Sequence, residues 1–162
     1  MFNPSEISPL TDCLFDNKHN LYLRLYKSLS ASNVKLTILY FFHGGGFCLS
    51  SRTWPNWHNC CLRLSSTLPA VIISPSYCLA PEHRLPVAMD DALNAALSNS
   101  PDPWLSDRVD FDRVFIVGDS SSGNLAHDLA VKLGPESPNL RPVSVRGYVL
   151  MAPFFGGIEK TK

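Results

Sequence analysis

Apolar, β-branched runs alternate with leucines spaced four residues apart, and this alternation restricts the fold of the 162-residue chain more than any other feature. Residues 34–42, VKLTILYFF, become continuously apolar toward their end, as a strand covered on both faces does. AVIIS (70–74), RVFIVG (113–118) and VSVRGYVLMA (143–152) repeat that β-branched character. Between them, Trp57, Cys60, Cys61, Leu64 and Leu68 fall at helical spacing behind Pro55, and Met89, Leu93 and Leu97 follow Pro86. Leu125, Leu129 and Leu133 form a third stripe, with Gly134 and Pro135 as its stop. Strand alternating with helix after residue 34 predicts a parallel sheet with crossover helices. Ahead of it, LYLRLYK (21–27) sets Leu21, Leu23 and Leu25 against Tyr22, Arg24 and Tyr26, the period of a strand with one apolar face. No internal repeat appears, so residues 1–162 are read as one continuous α/β unit.

Composition narrows the function classes. The chain is 45% hydrophobic and 17% charged, which supplies a core and excludes a disordered, charge-rich polymer. Fourteen basic residues balance 14 acidic ones, so the summed positive field that drives non-specific nucleic-acid binding is missing. The longest apolar run, Ile38 to Phe42, is far short of a membrane span. MFNPSEISPL at the N-terminus lacks the basic and apolar regions of a signal peptide. Neither a nucleic-acid nor a membrane partner is expected, and a cytoplasmic location is. Cys13, Cys48, Cys60, Cys61 and Cys78 include no C-x-x-C pair and no zinc spacing, so they read as small hydrophobes, with no metal expected.

Two motifs occupy strand-to-helix joins. His43-Gly44-Gly45-Gly46-Phe47 follows TILYFF directly, and three glycines bring backbone N–H groups where side chains would obstruct them. At the end of a parallel strand, such amides can face a ligand oxygen in the crevice. Gly118-Asp119-Ser120-Ser121-Ser122-Gly123-Asn124 lies between RVFIV and the helix led by Leu125. A serine on such a turn presents its hydroxyl above the sheet edge, provided small residues stand two positions either side. Gly118 meets this for Ser120, and Ser122 stands where glycine is usual, its Cβ tightening the turn. Taking Ser121 as the nucleophile would recover Gly123 but put Asp119 at the earlier small position, so Ser120 is preferred. Paired in this order, the motifs fit an α/β-hydrolase with oxyanion donors in the glycine loop and at Ser121.

HGGGF (43–47), SRTWPNWHNCC (51–61), YCLAPEHRLP (77–86) and GDSSSGN (118–124) resemble plant carboxylesterases of the hormone-sensitive-lipase-like branch of α/β-hydrolases, also called fold-3. LFDNKHNLYLRLYK (14–27) and RGYVLMAPFFGG (146–157) carry the similarity across nearly the whole chain. The resemblance implies hydrolysis of a small-molecule ester through a serine acyl-enzyme, with no metal or organic cofactor. It implies Ser120 as nucleophile, the amides of Gly44, Gly45 and Ser121 as oxyanion donors, and His43, Gly46, Gly118, Asp119 and Gly123 as supports of the two motifs. The branch also contains gibberellin receptors, which keep the fold without catalysis. Ser76-Tyr77-Cys78 replaces the Asp-Tyr-Arg usual before Leu-Ala-Pro-Glu-His, which puts the support behind the glycine loop in question.

A serine hydrolase also needs a histidine to take the serine proton and a carboxylate to orient it, in the chain order Ser, Asp or Glu, His. Downstream of Ser120 stands one histidine, His127, seven positions along the predicted helix, and Asp128, Glu136 and Glu159 precede no later one. His43 belongs to the glycine loop, and His19, His58 and His83 lie in or beside other elements. Asp90 and Asp91 read as first-turn charges of their helix. The expectation is a truncated member: the N-terminal part of an α/β-hydrolase, lacking the C-terminal strands and helices, and weak or inactive by itself. The alternatives are a non-catalytic small-ligand-binding protein akin to the receptor branch and a non-functional fragment.

Overall fold

Six strands form one sheet in the order β1-β2-β4-β3-β5-β6 in a computed structural model that describes residues 10–27, 35–98, 103–133 and 143–155. The strands are β1 (Leu10–Asp16), β2 (Leu21–Tyr26), β3 (Leu36–Phe42), β4 (Ala70–Pro75), β5 (Val109–Asp119) and β6 (Val145–Met151). Four helices join them: α1 (Pro55–Thr67), α2 (Val87–Leu97), α3 (Pro103–Arg108) and α4 (Ser121–Lys132). β4, β3, β5 and β6 run parallel, while β2 is antiparallel to β4 and β1 to β2. The predicted parallel sheet with crossover helices is therefore present. β1 and the short α3 are elements that the periodicity did not isolate.

Side-chain alternation along the strands divides the core between two faces. Leu36, Ile38, Tyr40 and Phe42 of β3 join Val71, Ile73, Val114 and Ile116 on the face covered by α2 and α4. Phe41, Ile72 and Val117 turn to the other face, where Tyr26 of β2 and Cys61 of α1 meet them. The stripe on α4 is borne out, with Leu125, Leu129 and Leu133 all buried. Gly134 and Pro135 lie outside the described residues. On α2 two members of the expected stripe, Met89 and Leu93, pack half-buried against the core, whereas Leu97 is exposed and the fully buried positions are Ala88, Ala92, Ala95 and Ala96. Small residues let α2 approach closely, a preference that leucine spacing does not reveal. Leu68 lies beyond the end of α1 and is exposed, because the helix stops at Thr67.

β3 sends its connection to β4 on one side, whereas the chain from β4 returns to β5 on the other. The loop after β3 and the turn after β5 thus emerge side by side at the carboxyl ends of neighbouring strands, with helices leaving to opposite faces. In open α/β sheets such a reversal opens the crevice where ligands bind.

Candidate active site

The turn after β5 is sharper than ordinary strand-to-helix joins. Ser120 has φ 55 and ψ −119, a conformation a side chain rarely adopts, and it leads directly into α4. Its N–H donates to the Met151 carbonyl at 2.9 Å, and its carbonyl accepts from the Gly123 N–H at 2.9 Å. The turn is closed underneath by Gly118, whose position would drive any Cβ to within 1.9 Å of the Ser122 carbonyl oxygen.

Ser122 does not loosen this turn. The Asp119 N–H donates to its Oγ at 2.8 Å, and the hydroxyl lies 2.7 Å from the Phe42 carbonyl, which accepts from it. The residue at the unusual position therefore ties the elbow to the end of β3, directly before the glycine loop. Asn124 adds a further anchor, its side-chain amide donating to the Phe154 carbonyl.

The glycine loop lies against the same turn: a Cβ added to Gly44 would stand 2.8 Å from the Asp119 carbonyl oxygen. Gly45 has φ 135, and its carbonyl accepts from the Cys48 and Leu49 N–H groups at 3.1 and 3.0 Å. The loop is thus closed through a carbonyl, and among the described residues neither the Gly44 nor the Gly45 N–H is used in closing it. The Ser121 N–H sits at the first turn of α4, where an amide has no acceptor within its own helix. Gly46 also takes positive φ, at 64.

His43 is buried beneath the loop, its ring stacked on Tyr77 with centroids 4.4 Å apart. Its Nδ1 contacts the Gly44 carbonyl at 3.0 Å; since a carbonyl only accepts, Nδ1 carries the proton. Burial pushes His43 down to about 4, and the Arg52 charge adds to that direction, so the ring is neutral near pH 7. The Tyr77 hydroxyl donates to the His43 carbonyl at 2.6 Å, and burial raises Tyr77 well above the usual phenol range. Support behind the loop therefore survives the loss of the usual charged residues. Ser76, at one of the altered positions, accepts from Arg52 Nη1 at 2.8 Å, and Arg52 also reaches Asp12 on β1 at 3.3 Å.

The contacts of the five histidines are with residues other than Ser120. His19 contacts Asp16, His58 contacts the Tyr26 hydroxyl, and His83 meets the His19 ring edge-on. His127 is exposed two turns into α4, edge-on to Phe155 at 5.0 Å. Asp91 departs from its expected role. It is 3% exposed and accepts the Cys78 N–H at 2.8 Å, anchoring the segment after Tyr77 instead of acting as a solvated first-turn charge. Asp90 is the exposed acid of that first turn. Tyr77, Arg52 and Asp91 carry weight that only tertiary contact makes visible; in the sequence, the signals are the positions of Arg52 inside SRTWPNWHNCC and of Tyr77 inside YCLAPEHRLP.

A sheet that reverses strand order at β3, with a glycine loop packed on a positive-φ serine turn, defines a protein of the α/β-hydrolase type. The family model described as alpha/beta hydrolase fold matches residues 39–162, and the chain belongs to that family. It is 38% identical over 170 residues to Carboxylesterase 20 of Arabidopsis thaliana, covering 99% of this chain and 52% of that protein. To 3-O-acetylpapaveroxine carboxylesterase CXE2 of Papaver somniferum it is 37% identical over 140 residues, covering 81% of this chain and 44% of that protein. Among solved structures, the hyperthermophilic esterase of the archaeon Pyrobaculum calidifontis is similar, with a TM-score of 0.68 and 30% identity, covering 91% of this chain and 45% of that one. The chain spans about half the length of the curated relatives it matches.

Proposed function

We propose that this chain carries the nucleophile and the oxyanion-binding half of a carboxylic-ester hydrolase. The reading rests on one observation above all, the positive-φ backbone of Ser120 beside the Gly44 and Gly45 loop. Ser120 Oγ attacks the acyl carbon of a small ester, the carbonyl oxygen becomes an alkoxide, and collapse of that intermediate expels the alcohol and leaves an acyl-serine. The amides of Gly44, Gly45 and Ser121 bind the alkoxide, each preorganised donor lowering the barrier by about 3–4 kcal/mol. Gly118 and Gly123 permit the turn, while His43 and Asp119 hold the loop and the elbow together.

The serine proton needs an acceptor, and the contacts of the five histidines are with residues other than Ser120. Ester turnover by these 162 residues alone is therefore expected at no more than about 10³–10⁴-fold over water, the contribution of an oxyanion site and binding without a triad. The test is hydrolysis of a short-chain nitrophenyl ester by the chain. After subtraction of the hydrolysis that imidazole catalyses without protein, slow turnover that rises with imidazole in the wild-type chain and does not rise in Ser120→Ala is the expected result. Turnover at ordinary esterase rates without imidazole would contradict it. Saturable ester binding with no acylation of Ser120 would favour a non-catalytic binding protein instead.

A further inference from the structure

The β1–β2 turn and the segment from β4 to α2 meet behind the glycine loop, and they bring together side chains far apart in sequence. One ligand atom each from His19, Cys78 and His83 lies within 4.8 Å of the other two. Asp16, His19 and Asp91 form a second group at the same spacing, so His19 belongs to both. The His19 and His83 rings meet edge-on, with centroids 5.3 Å apart. Asp16 Oδ2 lies 2.9 Å from His19 Nδ1, which donates to it and leaves the Nε2 lone pair available. Asp91 is a buried carboxylate whose hydrogen bond comes from a neutral amide, that of Cys78, rather than from a cation.

We propose that His19, Cys78 and His83 bind a divalent zinc-class ion, with Asp16 orienting His19 and a nearby carboxylate supplying oxygen. Two imidazoles and a thiolate select a borderline-soft metal over magnesium or calcium. Tetrahedral bonds of about 2.0–2.1 Å to nitrogen and about 2.3 Å to sulfur set ligand atoms roughly 3.3–3.8 Å apart, so the cluster closes by about an ångström of side-chain rotation. A carboxylate on the distal nitrogen of a ligating histidine is the arrangement that fixes its tautomer and raises its basicity. On binding, Cys78 releases its thiol proton to solvent and the thiolate takes the metal. The ion also offsets the cost of burying the Asp91 charge.

Cysteine spacing along the chain and the family resemblance both point to no metal, and neither registers ligands delivered by separate loops. Cys78 follows Tyr77, whose hydroxyl holds the His43 carbonyl. The ion would therefore clip β1–β2 to the segment that supports the glycine loop, whether or not the ester-hydrolase reading holds.

Titrating the metal-free protein with Co²⁺ tests this without reference to activity. The expected result is a thiolate-to-cobalt charge-transfer band that Zn²⁺ abolishes. Cys78→Ser should remove the band, and His19→Gln or His83→Gln should weaken binding at least about 100-fold. Asp16→Asn should weaken it about 10–100-fold, while Cys48→Ser, at an exposed thiol, leaves it unchanged. His19 lies in a partly exposed turn, so if Cys78→Ser misfolds by circular dichroism, His19→Gln decides the matter. No band in the folded wild-type protein, a band that survives in folded Cys78→Ser, or a wild-type cobalt affinity in folded His19→Gln would overturn the proposal.

Discussion

Gly118 and the Ser122 carbonyl are so close that a Cβ on Gly118 would lie 1.9 Å from that oxygen. The contact is with backbone inside α4, so no flexible side chain can move aside. Gly118→Ala should therefore destabilise the protein by at least about 3 kcal/mol, the upper range for overpacking a tight site. A urea midpoint indistinguishable from wild type would show that the turn is looser than described.

Ser122 makes a different kind of contribution, because its hydroxyl accepts from Asp119 N–H and donates toward the Phe42 carbonyl. Ser122→Ala removes both interactions in a buried position and should cost about 1–3 kcal/mol. Ser122→Gly supplies the glycine of the general serine-elbow pattern but loses the same hydrogen bonds, so it should also be less stable than wild type in chemical denaturation. A stabilised Ser122→Gly protein would mean that the added Cβ strains the elbow more than its hydroxyl secures it.

Burial holds His43 near 4 against an ordinary value of 6.5, so the folded state binds that proton more weakly than the unfolded chain. Stability from His43 is thus complete above about pH 6.5 and is lost as pH falls toward 4, amounting to about 3 kcal/mol. His58 is shifted in the same direction by burial, so the comparison must isolate His43. Denaturation midpoints at pH 7 and pH 4.5 should differ less in His43→Gln than in wild type, and equal differences would refute the assignment.

β6 pairs with β5 on one side, and among the described residues no strand pairs with its other side. Val149 and Met151 are 47% and 37% exposed, and Phe154 just beyond is 68% exposed. An open apolar edge of this kind recruits other chains. The 162-residue chain should associate as its concentration rises in analytical ultracentrifugation, and Val149→Lys should shift it toward monomer. A wild-type chain that stays monomeric throughout would contradict this.

Much of the framework could be read from local pattern. β-branched runs and leucine spacing identified β3 to β6 and α4, because burial on two faces leaves an apolar signature along each strand. The two loops were also legible, since three consecutive glycines and a serine turn flanked by small residues stand out as local patterns at the ends of apolar strands. Relations between distant residues were not. The alanine face of α2 is a matter of close approach, and the burial of Asp91 depends on a backbone amide in another segment. The His19, Cys78 and His83 cluster likewise arises from two turns that meet only after the sheet has formed.

Ser120, rather than Ser121 or Ser122, is proposed as the reactive hydroxyl. Peptide mapping after treatment with a fluorophosphonate tests it most directly. The account predicts a single phosphonylated residue, Ser120, formed slowly, accelerated by imidazole and absent from Ser120→Ala. An adduct on Ser121 or Ser122, or no adduct on folded protein with imidazole present, would contradict it.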